Sequence, residues 1–319
     1  MSGPTRSRHN APATSTRRIA YRTRLGRMVV GDSLGILASS YGARYRAKAQ
    51  LIFTSPPFPL NRKKRYGNMQ GEGYVKWLSS FSHQFKNLLA PSGSLVVELG
   101  NAWQSGQPTM STLALKALLG LLEEGGFHLC QQFVCHNPAR LPSPAQWVNV
   151  ERIRVTDAFT HVWWMAPSAR PKADNRRVLR DYSASMLRLL KSQKYNAGSR
   201  PSQHHIGAKS FLTNNGGAIR SNVLTFTNTA AADEYQLYCK ENDLPRHPAR
   251  MPGGLAEFFI AFLTEPGDLV VDPFAGSNTT GAAAERLGRK WLSIELNEHY
   301  VEGSLGRFPH LLGGRHGNR

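Results

Sequence analysis

Cysteine is scarce in this 319-residue chain: Cys130, Cys135 and Cys239 are all there are, and no two stand in a C-x-x-C pair. An odd count without paired spacing argues against a disulfide scaffold and fits a reducing compartment, so a cytoplasmic location is expected. His204-His205 and Cys135-His136 lack four-ligand spacing, so no metal is expected either. No apolar run reaches the length of a membrane-spanning helix, and no membrane role is expected. The other deficit is acid. Asp and Glu total 21 against 40 Lys and Arg, a formal charge of +19. Such an excess favours a polyanion, whose phosphates a basic surface neutralises with release of counterions.

Hydrophobic residues make up 40% of the chain, enough for a proper core. The length allows one large α/β domain with an insert, or two domains. Residues 1–27 hold seven arginines and no acid, the composition of a disordered basic tail. Apolar runs predict strands leading to Asp32, at Leu51-Ile52-Phe53, and around Val96, Phe133 and Trp163. Helices are predicted after Asp32, from Tyr74 to Leu89, and from Thr112 to Glu124 with a stop at Gly125-Gly126. Trp163 and Trp164 read as core aromatics. From 169 to 244 the texture changes. Residues 169–220 carry eleven Lys and Arg against two Asp, with one candidate helix from Ser183 to Leu190. Little core and much charge suit a segment that reads nucleic acid. Regular texture returns over 245–308, and 309–319 reads as a C-terminal tail.

Two stretches carry chemistry. The first is Thr54-Ser55-Pro56-Pro57-Phe58, where a buried strand ends in a stiff corner. The prolines fix φ, remove two N–H donors and hold their predecessors extended. Carbonyl oxygens and the Ser55 hydroxyl are presented in a fixed array beside the Phe58 ring. That suits a planar amine, with oxygens accepting its N–H groups and the ring stacking on its face. The basic run Arg62-Lys63-Lys64 follows and reads as a clamp for backbone phosphates.

The second stretch is a strand, tight turn, helix and strand: Leu269 to Asp272, then Pro273-Phe274-Ala275-Gly276-Ser277-Asn278-Thr279-Thr280-Gly281, an Ala-rich helix, and Trp291 to Glu295. In such a βαβ unit ligands sit beyond the strands' carboxyl ends, at the helix N-terminus. Gly276 lets backbone approach the ligand, and Glu295, nineteen residues on, is placed to accept both hydroxyls of a ribose. G-x-G-x-x-G spacing is absent, which argues against NAD. S-adenosyl-L-methionine fits better: Asp272 for its ammonium, Glu295 for its ribose and Asp32 for its adenine amine. Pro273, Phe274, Ser277, Asn278, Thr279 and His247 complete the expected cofactor set. Asp32 is equally placed to cap the helix that follows it.

Taken together, Ser55-Pro56-Pro57-Phe58 and Asp272-Pro273-Phe274-Ala275-Gly276-Ser277 resemble the DNA amino-methyltransferases, in the cytosine-N4 branch. The corner precedes the cofactor turn, as in that family's permuted β arrangement. Further shared landmarks are Tyr66-Gly67-Asn68, Leu141-Pro142-Ser143-Pro144, Trp147-Val148-Asn149 and His247-Pro248-Ala249-Arg250, so the resemblance runs from about Val30 to Phe308. It departs at Asn278, where glycine is usual; Asn tolerates positive φ, so the turn is expected to survive. The resemblance implies a seven-stranded, mostly parallel, doubly wound α/β sheet, with residues 28–168 as the catalytic part, 169–244 as a target-recognition insert and 245–308 as the cofactor part. It implies methyl transfer from S-adenosyl-L-methionine to a flipped base in double-stranded DNA. Arg176, Arg177 and Lys209 are expected to join Arg62, Lys63 and Lys64 on the DNA. A restriction endonuclease acting on the same site is the expected partner unless the enzyme is an orphan, and a nucleoid-associated protein is implied.

No covalent intermediate is needed, and no Pro-Cys nucleophile pair exists, which argues against C5 methylation. Ser rather than Asn or Asp at the first corner position points to cytosine over adenine. The competing readings are adenine-N6 methylation, RNA methylation and a non-catalytic DNA-binding protein.

Overall fold

The computed structural model describes residues 17–58, 71–207, 209–227 and 233–312. In chain order the strands are β1 (Arg18–Arg22), β2 (Gly26–Val30), β3 (Ala49–Thr54), β4 (Leu89–Gly100), β5 (His128–His136), β6 (Phe159–Ala166), β7 (Gly198–Ser199), β8 (His205–Ile206), β9 (Val223–Thr225), β10 (Leu269–Asp272) and β11 (Lys290–Glu295). The helices are α1 (Ser33–Ala38), α2 (Ser40–Ala43), α3 (Gly71–Ser79), α4 (Ser82–Leu88), α5 (Leu113–Gly125), α6 (Ala184–Ser192), α7 (Glu234–Glu241), α8 (Gly253–Leu263), α9 (Thr279–Arg286) and α10 (Glu298–Ser304).

Nine strands form one sheet in the order β1-β2-β11-β10-β3-β4-β6-β5-β9, and β7 pairs with β8 in a separate ribbon. The run from β2 to β4 is parallel, β6 lies antiparallel between β4 and β5, and β9 is parallel to β5. All seven expected strands are present. Side chains alternate between the faces, so a continuous apolar run buries both. Leu51 and Phe53 point to the layer of α8 and α9, together with Phe259, while Ile52 faces the layer of α3, α4 and α5, together with Phe85. Trp163 and Trp164 are both buried, on opposite faces.

Three expectations need correction. The basic tail does not run to residue 27: β1 and β2 pair antiparallel at the edge of the sheet, with Tyr21 packed on Phe308. Arginines at both ends of β1 lend it the composition of a tail, yet Ile19, Ala20 and Tyr21 between them are half-buried. The helix predicted from Tyr74 to Leu89 is two, α3 and α4, and Leu89 already begins β4. Nor is 169–244 wholly separate from the sheet, since it supplies β9. Within it, residues 181–217 leave and return through a narrow neck. Arg180 N donates to Ala218 O (3.0 Å) and Ala218 N to Arg180 O (2.8 Å).

Candidate active site

β3 and β10 are neighbours in the sheet, with Val271 opposite Ile52, so the corner and the Gly276 turn emerge side by side at the strands' carboxyl ends. Thr54 Oγ1 donates to Asp272 Oδ1 at 2.7 Å and ties the two together. Beyond them lies a cavity of about 530 Å³, lined by Ser55, Pro56, Pro57 and Phe58 on one wall and by Asp272, Pro273, Phe274, Gly276, Ser277, Thr279 and Glu295 on the other. Asp32 and His247 line it too. Segments more than two hundred positions apart therefore meet across one cleft.

The turn is built from beneath. Gly276 has φ +51°, and a Cβ there would stand 3.0 Å from His247 Nε2. Its N–H donates to Glu295 Oε2 and Asn297 N donates to Oε1, both at 2.8 Å. Those bonds fix the carboxylate at the cavity edge, and each oxygen keeps a lone pair for a ligand hydroxyl. Burial raises Glu295 above the usual carboxylate range. Asp272 is buried and pushed up to about 6, because desolvation outweighs the bonds from Thr54 and from Phe274 N. Burial pushes His247 down to about 4, so at neutral pH its ring is uncharged where it meets the Tyr300 ring edge-on. Phe274 closes the far side against Trp77 and Phe81, with centroids 5.3 and 5.0 Å away. Asp32 caps α1, accepting from Gly35 N at 2.7 Å, and lines the cavity as well.

Asn278, expected among the ligand contacts, does not line the cavity. It is fully buried at φ +56°, the left-handed conformation foreseen for it. Its Oδ1 accepts from Ser293 Oγ (2.6 Å) and Gly281 N (3.2 Å), and its Nδ2 donates to the Tyr21 hydroxyl (2.9 Å). It braces the turn instead of touching what the turn holds.

A second cavity, of about 430 Å³, adjoins the first and shares Ser55, Phe58, Ala249, Arg250 and Met251 with it. Its floor holds Glu98, only 4% exposed, whose Oε1 accepts from Thr160 Oγ1 at 2.8 Å. The Ser55 hydroxyl also donates to this carboxyl, and burial raises its pKa. Phe58 lies over Gly100 so closely that a Cβ there would come within 2.4 Å of the ring.

The family model for DNA methylases matches residues 49–305, spanning both walls of the cavity. The chain belongs to the DNA methylase family. Among curated relatives of this methylase, the type II methyltransferase M.PvuII of Proteus hauseri is 45% identical over 291 residues, covering 91% of this chain and 85% of that protein. A solved structure described as the cytosine-N4-specific PvuII DNA methyltransferase superposes with a TM-score of 0.74 at 39% identity, covering 92% of this chain and 90% of the other. A Thermus thermophilus protein described as a "putative DNA modification methylase", solved in complex with S-adenosyl-L-methionine, shares the fold at a TM-score of 0.54 and 21% identity, with 89% and 93% covered.

The basic residues expected on DNA fare differently. Arg62, Lys63 and Lys64 lie outside the described residues. Arg176 and Arg177 stand at the amino end of β10, on the edge of the sheet away from the cavity. Arg176 grips Asp174 through Nε and Nη2 at 2.8 Å each, and Arg177 donates to Thr264 O and Glu265 Oε1, also at 2.8 Å. Arg177 thereby pins the turn between α8 and β10, while Arg176, its side chain 83% exposed, pairs among the described residues only with Asp174 beside it. Lys209 is exposed and lines neither cavity.

Two functional residues escaped the sequence reading. Glu98 sits in an apolar strand with no neighbouring motif to mark it. Arg307, with its side chain 13% exposed, donates from Nε to Ser277 O (2.7 Å) and from Nη2 to Ser277 Oγ (3.2 Å), holding the turn from behind. Neither leaves a local pattern; a lone acid in a buried strand was the one signal available. Among the described residues no group of three His, Cys, Asp or Glu could hold a metal ion, and no helix is long and apolar enough to cross a membrane.

Proposed function

We propose that this methylase transfers a methyl group from S-adenosyl-L-methionine to the N4 amine of a cytosine turned out of double-stranded DNA at a short specific site. The supporting observation is the shared position of Ser55 and Phe58, which line both cavities, so that a cofactor in the first and a base in the second would meet at the corner. The PvuII methyltransferase, whose structure is described as cytosine-N4-specific, favours this base over adenine. The residues of the first cavity fit the cofactor. The buried Asp272 carboxylate suits an ammonium, Glu295 keeps acceptor capacity for a ribose, and Asp32 at the rim suits an exocyclic amine. Bound there, the cofactor supplies an electrophilic methyl on a sulfonium.

The chain's own residues do the rest. Turning out the base costs a few kcal/mol, recovered by binding in the second cavity. Phe58 stacks on the ring. The Ser55 hydroxyl donates its hydrogen bond to Glu98 and keeps its proton, which leaves Oγ lone pairs for an incoming amine. Ser55 Oγ and Pro56 O then accept the two amine hydrogens and draw the nitrogen lone pair out of conjugation, toward the donor. Positive charge developing on nitrogen meets oxygens already aligned, and one of the two amine hydrogens is released as a proton to solvent water once the methyl has transferred, leaving a neutral methylamine. Holding both reactants in line supplies much of the acceleration.

The basic excursion 181–217, with Lys209 on it, is the surface we assign to target recognition, and Arg62, Lys63 and Lys64 to backbone phosphates. The order of corner before turn reads as the permuted arrangement. A restriction endonuclease of the same specificity and a cytoplasmic, nucleoid-associated location go with this reading. The test is incubation of the purified protein with duplex DNA and methyl-labelled cofactor, followed by mass spectrometry of the nucleosides. N4-methylcytosine is expected. N6-methyladenine, label in RNA alone, or no label would each replace the reading.

A further inference from the structure

Residues 137–158 link β5 to β6 and enter the site so far only as rim to the second cavity, through Asn137, Ala139, Arg140, Leu141 and Ser143. Because β6 runs antiparallel to β4, the link leaves the sheet at the edge where β3 and β4 end and where the corner stands. It is a built segment. Asn137 N donates to Ala158 O (2.8 Å) and Asp157 N to Ser143 O (3.1 Å), while Ile153 N and Arg154 N both donate to Trp147 O. Asp157 accepts from Asn101 Nδ2 (2.7 Å) and Trp103 Nε1 (3.4 Å), and Arg154 Nε donates to Pro108 O (3.0 Å).

This braced segment nevertheless carries large apolar side chains into solvent. Leu141 is 81% exposed, Val155 86%, Val150 68% and Ile153 48%. Single exposed apolar residues are ordinary, but several on one rigid loop at a cavity mouth mark a binding surface. Its charges favour one partner. Asp157 is turned inward as above and Glu151, though exposed, takes Gln146 Nε2 (3.0 Å), against three arginines. Arg140 lines the cavity and Arg152 is exposed. Arg154, exposed as well, is aimed by bonds from Nε to Pro108 O (3.0 Å) and from Nη1 to Ile153 O (2.8 Å) that leave its charge unpaired by any acid among the described residues. An outward face of apolar tips among guanidinium groups matches a base stack flanked by phosphates. Pro142 holds Leu141 in an extended conformation, so the tip projects from a stiff stem.

We propose that Leu141 is a wedge that enters the base stack where the target base leaves it, with Arg152 and Arg154 on the flanking phosphates. Apolar wedges of this kind partly unstack neighbouring bases and hold the displaced state open. The inference rests on the reading of the second cavity as the base pocket, and its test keeps the two apart.

The target site is first located by modification-sensitive sequencing of DNA from cells expressing the gene. Duplexes of that site then carry either 2-aminopurine in the target position, to report extrusion by fluorescence with S-adenosylhomocysteine present, or the target cytosine opposite an abasic position, where pairing opposes nothing. Leu141→Ala, a change at an exposed site that leaves folding nearly untouched, should abolish most of the fluorescence rise and lower kcat/KM on the matched duplex about tenfold, while methylating the abasic duplex about as well as the wild type. Full activity on the matched duplex, or the same loss on both duplexes, would overturn the wedge. A wild-type dimer that Val155→Asp converts to a monomer would overturn it too, since the patch would then belong to a second copy. No fluorescence rise from the wild type itself would sink the base-pocket reading first.

Discussion

The two walls of the first cavity are held by different means. The turn from Asp272 to Thr279 is pinned from below and behind: Asn278 makes three side-chain bonds, Arg307 two to Ser277, and Glu295 takes the Gly276 N–H. The corner is stiffened by its own proline rings and aimed by single contacts: Thr54 on Asp272, Ser55 on Glu98 and Phe58 over Gly100. A wall held by many bonds suits equilibrium binding. A wall made of aimed oxygens suits the moment of reaction. Damage to the corner should therefore appear in turnover, and damage to the turn in affinity or stability.

Ser55→Ala is the sharpest way to break that division. It removes one of two prealigned acceptors, so kcat should fall by about 10²–10³-fold, the usual loss for one such group. Calorimetry should find cofactor affinity unchanged; a parallel loss of affinity would mean that the corner also serves as seat.

Asp272 comes next. Its carboxyl titrates near 6 in the folded protein, above the ordinary 3.8. Only the ionised form attracts an ammonium, so cofactor affinity should be level above that pH and weaken as pH falls through it, by up to about tenfold per unit. Asp272→Asn should flatten the profile and lower affinity at neutral pH by about ten- to a hundredfold, the worth of a charged hydrogen bond. Folding responds with the opposite sign. Because the folded value is raised, the native state binds the extra proton between the two values, and wild-type stability declines as pH rises from about 4 to 6. The Asn variant cannot ionise, so that decline should be smaller in it, as urea titrations across the range would show.

The smallest effect belongs to the brace. Asn278→Gly keeps the positive φ and deletes the bonds to Tyr21, Ser293 and Gly281. Stability should fall by about 1–3 kcal/mol by urea denaturation, with the kcat of cofactor-saturated enzyme little altered.

Sequence reading reached what local rules govern. Continuous apolar runs gave the seven strands, the gap between Gly276 and Glu295 placed the acid at the end of the next strand, and Asn278 took the left-handed conformation its residue type permits. It failed where a side chain's partner is remote. The arginines of β1 made a strand look like a tail. Arg177 was expected on DNA because Glu265, which takes it, lies 88 residues away. Glu98 looked like a lone acid because Thr160, its partner, is 62 residues on. Composition reports how much charge a segment holds and is silent on where tertiary contacts direct it.

The neck at Arg180 and Ala218 has an engineering consequence. Two reciprocal backbone bonds close the base of residues 181–217, and no described residue of that loop lines either cavity. The ends sit as close as in a hairpin, so a short Asn-Gly connector could join them without stretching the chain. On the proposed assignment of this excursion to target recognition, it is a detachable cassette: exchanged for a sibling's, it would rewrite the address on the genome while leaving the reaction chamber as it is.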